Sequence, residues 1–304
     1  MVIACGALAV WSFAAAVLPD GCGFPARSEI VSAMDRRTRE RPFDGKRLSR
    51  FLDYPPNATV ANSTFLSESL MTPFRPNPDF WLKDVDFSCA SPWNGGSGRL
   101  RAGTAVSPRH VVFSRHFALW KDVRIVFVSK AGVPSAYYIE KVRHLPECDI
   151  SVGLLNAELV PDVRPAKVLP PDFAKHMGKL EGLPVVTINQ DEKAMLSEMK
   201  PTYTNSPTYR LDDFREPAVK DRKPYHVKVR SGDSGCPTFL VCGNEPILLF
   251  CQTTTIGGYG LHRFRREVQT AMDALCPGYR LEAFDFEKLR FSRGANRDSG
   301  LGRR

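Results

Sequence analysis

The heptapeptide Ser231-Gly232-Asp233-Ser234-Gly235-Cys236-Pro237 opens onto an apolar run, Thr238-Phe239-Leu240-Val241. Glycines on both sides of a serine, placed before a β-type run, predict a tight turn that presents the hydroxyl at a strand end. Small neighbours let a substrate carbonyl approach the main chain, where the N–H groups of Gly232 and Ser234 can receive a developing negative charge. A turn of this kind also occurs by chance on protein surfaces. Its reading therefore depends on whether the chain also supplies a base and a carboxylate.

On both sides of the turn, short apolar segments alternate with turn residues. Upstream they are Gly103–Val106, His110–His116, Val123–Ser129, Ala136–Val142 and Cys148–Leu155. A second set follows: Leu183–Asn189, Tyr225–Val229, Pro237–Val241, Ile247–Gln252 and Thr253–Gly260. The 24 prolines and 22 glycines punctuate them. Many short strands in two groups predict an all-β architecture of two small barrels or a sandwich. One helix closes the chain: Phe264, Val268, Met272 and Leu275 recur at helical spacing before the stop at Cys276-Pro277-Gly278.

Acyl transfer by serine requires a base to take the hydroxyl proton and a carboxylate to hold that base in one tautomer. His116 ends an apolar strand, and Asp149 begins a very apolar one. Of the other histidines, His110 lies within the strand and reads as structural, and His144 as surface. His176, His226 and His262 follow the carboxylate in less apolar surroundings. His116, Asp149 and Ser234 are separated by 33 and 85 residues.

In this order the three motifs resemble the trypsin-like serine peptidases. Gly103 to His116 is similar to the strand, turn and strand leading into that family's catalytic histidine. Asp149-Ile150-Ser151-Val152-Gly153-Leu154-Leu155 is similar to its Asp-Ile-apolar strand, and Gly232-Asp233-Ser234-Gly235 to its nucleophile motif. The resemblance runs from about Gly95 to Leu275. It implies two six-stranded Greek-key β-barrels with the active site in the cleft between them, and a C-terminal helix. His116, Asp149 and Ser234 would then be catalytic, with Gly232 and Ser234 forming the oxyanion hole. Lys228, Thr253, Thr254, Gly257 and Gly258 would line the substrate site, and the glycines, with Gly260, would leave backbone open for pairing an extended peptide. No metal or cofactor is implied, and the partner would be a protein or peptide substrate. Two rivals use the same scaffold: a catalytically inactive peptide-binding protein, and an esterase.

The chain also departs from that family. Phe117 and Cys236 stand where many members have a cysteine and a glycine, and Arg115 adjoins the base. No Ile-Val-Gly-Gly start is present to reach Asp233 as a newly cut terminus, so Asp233 must be satisfied in another way. No aspartate occurs from Tyr225 to Arg230, which argues against cleavage after Lys or Arg; Lys228 would favour an acidic side chain only if it points inward.

The organisation reads as 1–18 candidate signal segment, 19–94 N-terminal extension or propeptide, 95–170 first barrel, 171–262 second barrel, 263–291 helix and strand, and 292–304 basic disordered tail. The apolar run Val2–Leu18 lacks a basic start and is short for a membrane span, so it reads as an export signal or truncated gene start, with a secreted or extracytoplasmic placement. The net charge of +9 arises from Asp35–Arg50 (net +4) and Lys288–Arg304 (net +5). That leaves the remainder neutral, which argues against nucleic-acid binding. Among eight cysteines, Cys242 and Cys251 flank a hairpin and are candidates for a cross-strand pair. Asn57 and Asn62 begin glycosylation sequons, and Ser28–Arg50 suits a short helix.

Overall fold

The computed structural model describes residues 25–41, 75–94, 101–200, 207–211 and 217–289. The candidate signal segment, both sequons and the basic tail lie outside these residues. No helix among the described residues is long and apolar enough to cross a membrane.

The chain enters with helix α1 (Pro25–Glu40). Ala26, Ile30 and Met34 fall on one face at i, i+4, i+8 and are buried, with Arg37 continuing the stripe. Six antiparallel strands follow: β1 (Ala90–Asn94), β2 (Arg101–Ala105), β3 (His110–Ser114), β4 (Arg124–Val128), β5 (Pro134–His144) and β6 (Ile150–Leu155), in spatial order β1-β2-β3-β6-β5-β4. The two edges of this sheet meet. Ser91 Oγ on β1 donates to the Val126 carbonyl on β4, and Val126 N–H donates to Asn94 Oδ1 at 2.7 Å. Two polar side chains thereby satisfy edge backbone groups that would otherwise be left unpaired in the interior, and the sheet becomes a nearly closed barrel.

The second sheet has seven strands. They are β7 (Lys167–Val168), β8 (Pro184–Ile188), β9 (Ala194–Lys200), β10 (Thr208–Leu211), β11 (Pro237–Cys242), β12 (Glu245–Cys251) and β13 (Gly257–Tyr259). Their order is β13-β10-β9-β8-β11-β12-β7, antiparallel except for the β7–β12 pair. The short helix α2 (Ala174–Met177) and a 3₁₀ turn (Lys220–Tyr225) lie within this half, whereas α3 (Arg265–Leu275) packs back against β5 and β6 of the first sheet, and the chain then returns to hydrogen-bond with Val168 of β7. One apolar cluster, including Val112, Leu119, Ile188, Phe239 and Met272, spans both sheets, and a second, including Val185, Met195, Leu240 and Phe250, is built from the alternate residues of the second sheet's strands.

Several expectations need correction. The first barrel begins at Ala90, before residue 95, because β1 pairs with β2. β7 belongs to the second sheet, which has seven strands rather than six. Tyr225–Val229 is not a strand: Tyr225 ends the 3₁₀ turn. β9 (Ala-Met-Leu-Ser-Glu-Met-Lys) was not anticipated, since its residues favour helix; pairing with β8 and β10 overrides that weak preference. Cys242 and Cys251 are not bonded to each other. The two-residue turn Gly243-Asn244 sets Cys242 opposite Glu245 and Cys251 opposite Pro237, at opposite ends of the hairpin.

The described parts of the extension are integral to the body. Trp81 is fully buried, lies 4.5 Å from the Tyr225 ring and donates its Nε1–H to the Ala194 carbonyl at 3.3 Å. Truncating such a side chain to alanine costs about 3–5 kcal/mol. Arg37 donates to Asp84 Oδ2 at 2.6 Å and to the Gly243 carbonyl at 2.8 Å, which ties α1 to the β11–β12 turn.

Candidate active site

Strand register explains how residues 33 positions apart come together. β3 and β6 are antiparallel with Ser114 opposite Ile150, so the residues just after β3 lie beside those just before β6. Arg115 N–H donates to the Asp149 carbonyl at 3.2 Å, and His116 N–H donates to Asp149 Oδ1 at 2.7 Å. The other carboxylate oxygen, Oδ2, is 2.5 Å from His116 Nδ1. Holding Nδ1 as the N–H leaves the lone pair on Nε2, which lies 2.9 Å from Ser234 Oγ. The imidazole is nearly half exposed, 47%, so the ring faces solvent.

Ser234 is positioned from the second sheet. Gly235 N–H donates to the Gln252 carbonyl and Gln252 N–H to the Cys236 carbonyl, both at 2.8 Å, which extends the β11–β12 ladder under the serine. The N–H groups of Asp233, Gly235 and Cys236 are all used on carbonyls. Those of Gly232 and Ser234 meet no acceptor among the described residues and are available to a ligand. Gly232 has φ +102°, a conformation that other residues rarely adopt.

Asp233 is fully buried, and burial pushes its carboxyl above the ordinary range. Opposing this, Arg230 N–H donates to Oδ2 at 2.8 Å and Gln190 N–H to Oδ1 at 3.3 Å. Two main-chain donors thus satisfy the carboxylate without a new terminal ammonium. Arg230 also pairs with Asp191, joining the β8–β9 turn to the turn that carries Ser234.

The departures around His116 have structural counterparts. Arg115 is exposed. Phe117 is covered by the Arg101 guanidinium, whose carbon lies 4.6 Å from its ring centre and 3.8 Å from that of Trp120. Arg101 also donates to the Ala118 carbonyl at 2.6 Å, so cation–π contacts and a hydrogen bond pin the loop after His116. Cys236 is wholly buried, and burial pushes its thiol well above the usual value, which makes it a packing residue. Cys148, next to Asp149, is pushed up to about 11 by burial.

The other five histidines are engaged elsewhere. His110 is buried against Ser107 Oγ at 2.8 Å, and His144 is exposed and 2.7 Å from Ser151 Oγ. His176 stacks on Phe286, His226 bonds to the Leu196 carbonyl, and His262 lies 2.7 Å from the Tyr209 hydroxyl.

Among the expected substrate residues, Lys228 is exposed and does not turn inward. Thr253 and Thr254 donate their N–H groups to the Gly257 carbonyl, at 2.9 and 3.1 Å. Gly257 and Gly258 pair with Arg210 and Tyr209 of β10 along one side of β13, which is the edge strand of its sheet. A Cβ on Gly257 would lie 1.9 Å from the Tyr209 carbonyl oxygen, so glycine there serves close strand packing.

Sequence reasoning missed Arg101, Gln190, and the grip of α1 on the second sheet. None carries a local signal, since each acts on residues distant along the chain. No family model matches this sequence, and no curated protein does either.

Proposed function

We propose that this protein is a serine endopeptidase of the trypsin-like type, with its second sheet forming the second β-barrel. The observation that carries the reading is the relay Asp149 Oδ2 to His116 Nδ1, 2.5 Å, and His116 Nε2 to Ser234 Oγ, 2.9 Å, beside two unused main-chain N–H groups. Ser234 Oγ attacks the substrate carbonyl carbon while Nε2 takes its proton. Asp149 stabilises the resulting imidazolium, and the N–H groups of Gly232 and Ser234 hold the oxyanion. The imidazolium returns the proton to the leaving amine, giving an acyl-enzyme that water hydrolyses by the same steps.

Fluorophosphonate labelling tests this directly. The wild-type protein is expected to label at Ser234. Ser234→Ala should lower turnover of p-nitrophenyl acetate by about 10⁴–10⁶-fold with little change in stability. Turnover retained in that variant sinks the assignment. Ester hydrolysis with no cleavage of an unfolded protein would restrict the activity to an esterase.

A further inference from the structure

The turn between β8 and β9 leans over the nucleophile turn, and Gln190 is its point of contact. Its main chain is fixed: Gln190 N–H donates to Asp233 Oδ1, Asp191 pairs with Arg230, and Asn189 Oδ1 accepts the N–H groups of Asp191 and Lys193 at 3.0 and 2.9 Å. The side chain lies on Gly232. Its Nε2 and Oε1 are 2.8 and 3.0 Å from the position a Cβ on Gly232 would occupy.

Glycine at 232 thus serves two purposes, the left-handed φ and room for this carboxamide. The side chain is half-buried, yet it forms no hydrogen bond to any described residue. A carboxamide with two N–H donors lies beside Gly232, whose N–H is the first donor of the proposed oxyanion hole, and neither carboxamide donor is used among the described residues.

We propose that Gln190 is a third oxyanion donor, a catalytic residue whose Nε2–H hydrogen-bonds the substrate carbonyl oxygen during attack. The proposal rests on the reading of Ser234 as nucleophile. As the Oγ–carbon bond forms, the carbonyl π pair moves onto oxygen, and the proton from Oγ goes to His116 Nε2. Gln190 transfers no proton. It contributes a dipole where charge develops, strengthening as the carbonyl becomes an alkoxide.

Gln190→Met separates this from a packing role, because methionine has similar length and volume, still covers Gly232, and has no donor. Gln190→Glu also removes the donor and adds a negative charge against the oxyanion. With p-nitrophenyl acetate as probe, Gln190→Met should lower kcat by about 10²-fold with KM and Tm unchanged. Fluorophosphonate labelling should slow in parallel, and Gln190→Glu should fall further. Ser234 that labels normally in Gln190→Met, or a change confined to KM, overturns the role of Gln190 and leaves the nucleophile standing. A wild-type protein that fails to label at Ser234 overturns both.

Discussion

Replacing Arg222 by methionine asks whether the N-terminal helix is structurally coupled to the Ser234 turn. Arg222 lies in the 3₁₀ turn, and its side chain is 3% exposed. Its Nε donates to Asp35 Oδ1 on α1 at 2.7 Å, and its Nη1 to Glu198 Oε1 on β9 at 3.0 Å. Methionine keeps the apolar stem but leaves two carboxylates, each 20% exposed, without their shared cation. Removing one partner from a buried ion pair costs about 3–5 kcal/mol; water reaches these carboxylates, so the lower end applies, about 3 kcal/mol. For a protein of this size that lowers Tm by about 6–12 °C.

Asp35→Asn leaves the Glu198 contact in place and should cost only about 1–2 kcal/mol. The turn also leads to Arg230, whose N–H holds Asp233, so labelling of fully folded Arg222→Met should slow by about tenfold or more. Urea unfolding followed by tryptophan fluorescence gives the stability term, and labelling at a temperature well below Tm gives the second. A variant within about 0.5 kcal/mol of wild type would refute the reasoning, because surface-like substitutions fall in that range.

Two further outcomes follow from the structure. Burial pushes His110 and His262 down from 6.5 to about 4, so the folded state holds both neutral where the unfolded chain is protonated. Stability should be fully present above pH 6.5 and fall as the pH drops toward 4, by on the order of 3 kcal/mol for fully buried His110. His110→Gln should flatten that slope in urea unfolding measured at pH 7 and pH 4.5; an unchanged slope excludes His110 as its source. Gly257→Ala places a methyl group into the Tyr209 carbonyl at φ +150° and should cost about 2–4 kcal/mol through loss of the β10–β13 pairing, read as a lowered Tm. An unchanged Tm would show that the backbone there yields freely.

Residues whose significance is local could be read directly from the chain. Gly232-Asp233-Ser234-Gly235 announces a turn that presents a hydroxyl, because glycine conformation and small size act within a few bonds. The alternation of short apolar runs with glycine and proline was enough to mark most strands, and the i, i+4 spacing in Phe264–Leu275 marked α3, observed at Arg265–Leu275. His116 and Asp149 stood out as candidates because one ends an apolar strand and the other begins a very apolar one, where a polar side chain needs a reason to be.

What folding alone decided depends on contacts between distant residues. The 2.9 Å approach of His116 to Ser234 joins positions 118 apart, and Asp35 meets Arg222 across 187. Strand register, not composition, separated Cys242 from Cys251 and set Gly257 and Gly258 opposite Arg210 and Tyr209. Helix-favouring residues became β9 because two neighbouring strands offered hydrogen bonds that outweigh an intrinsic preference worth only tenths of a kcal/mol per residue. Propensity is set by a residue and its nearest neighbours, whereas pairing energy exists only once both strands are in place.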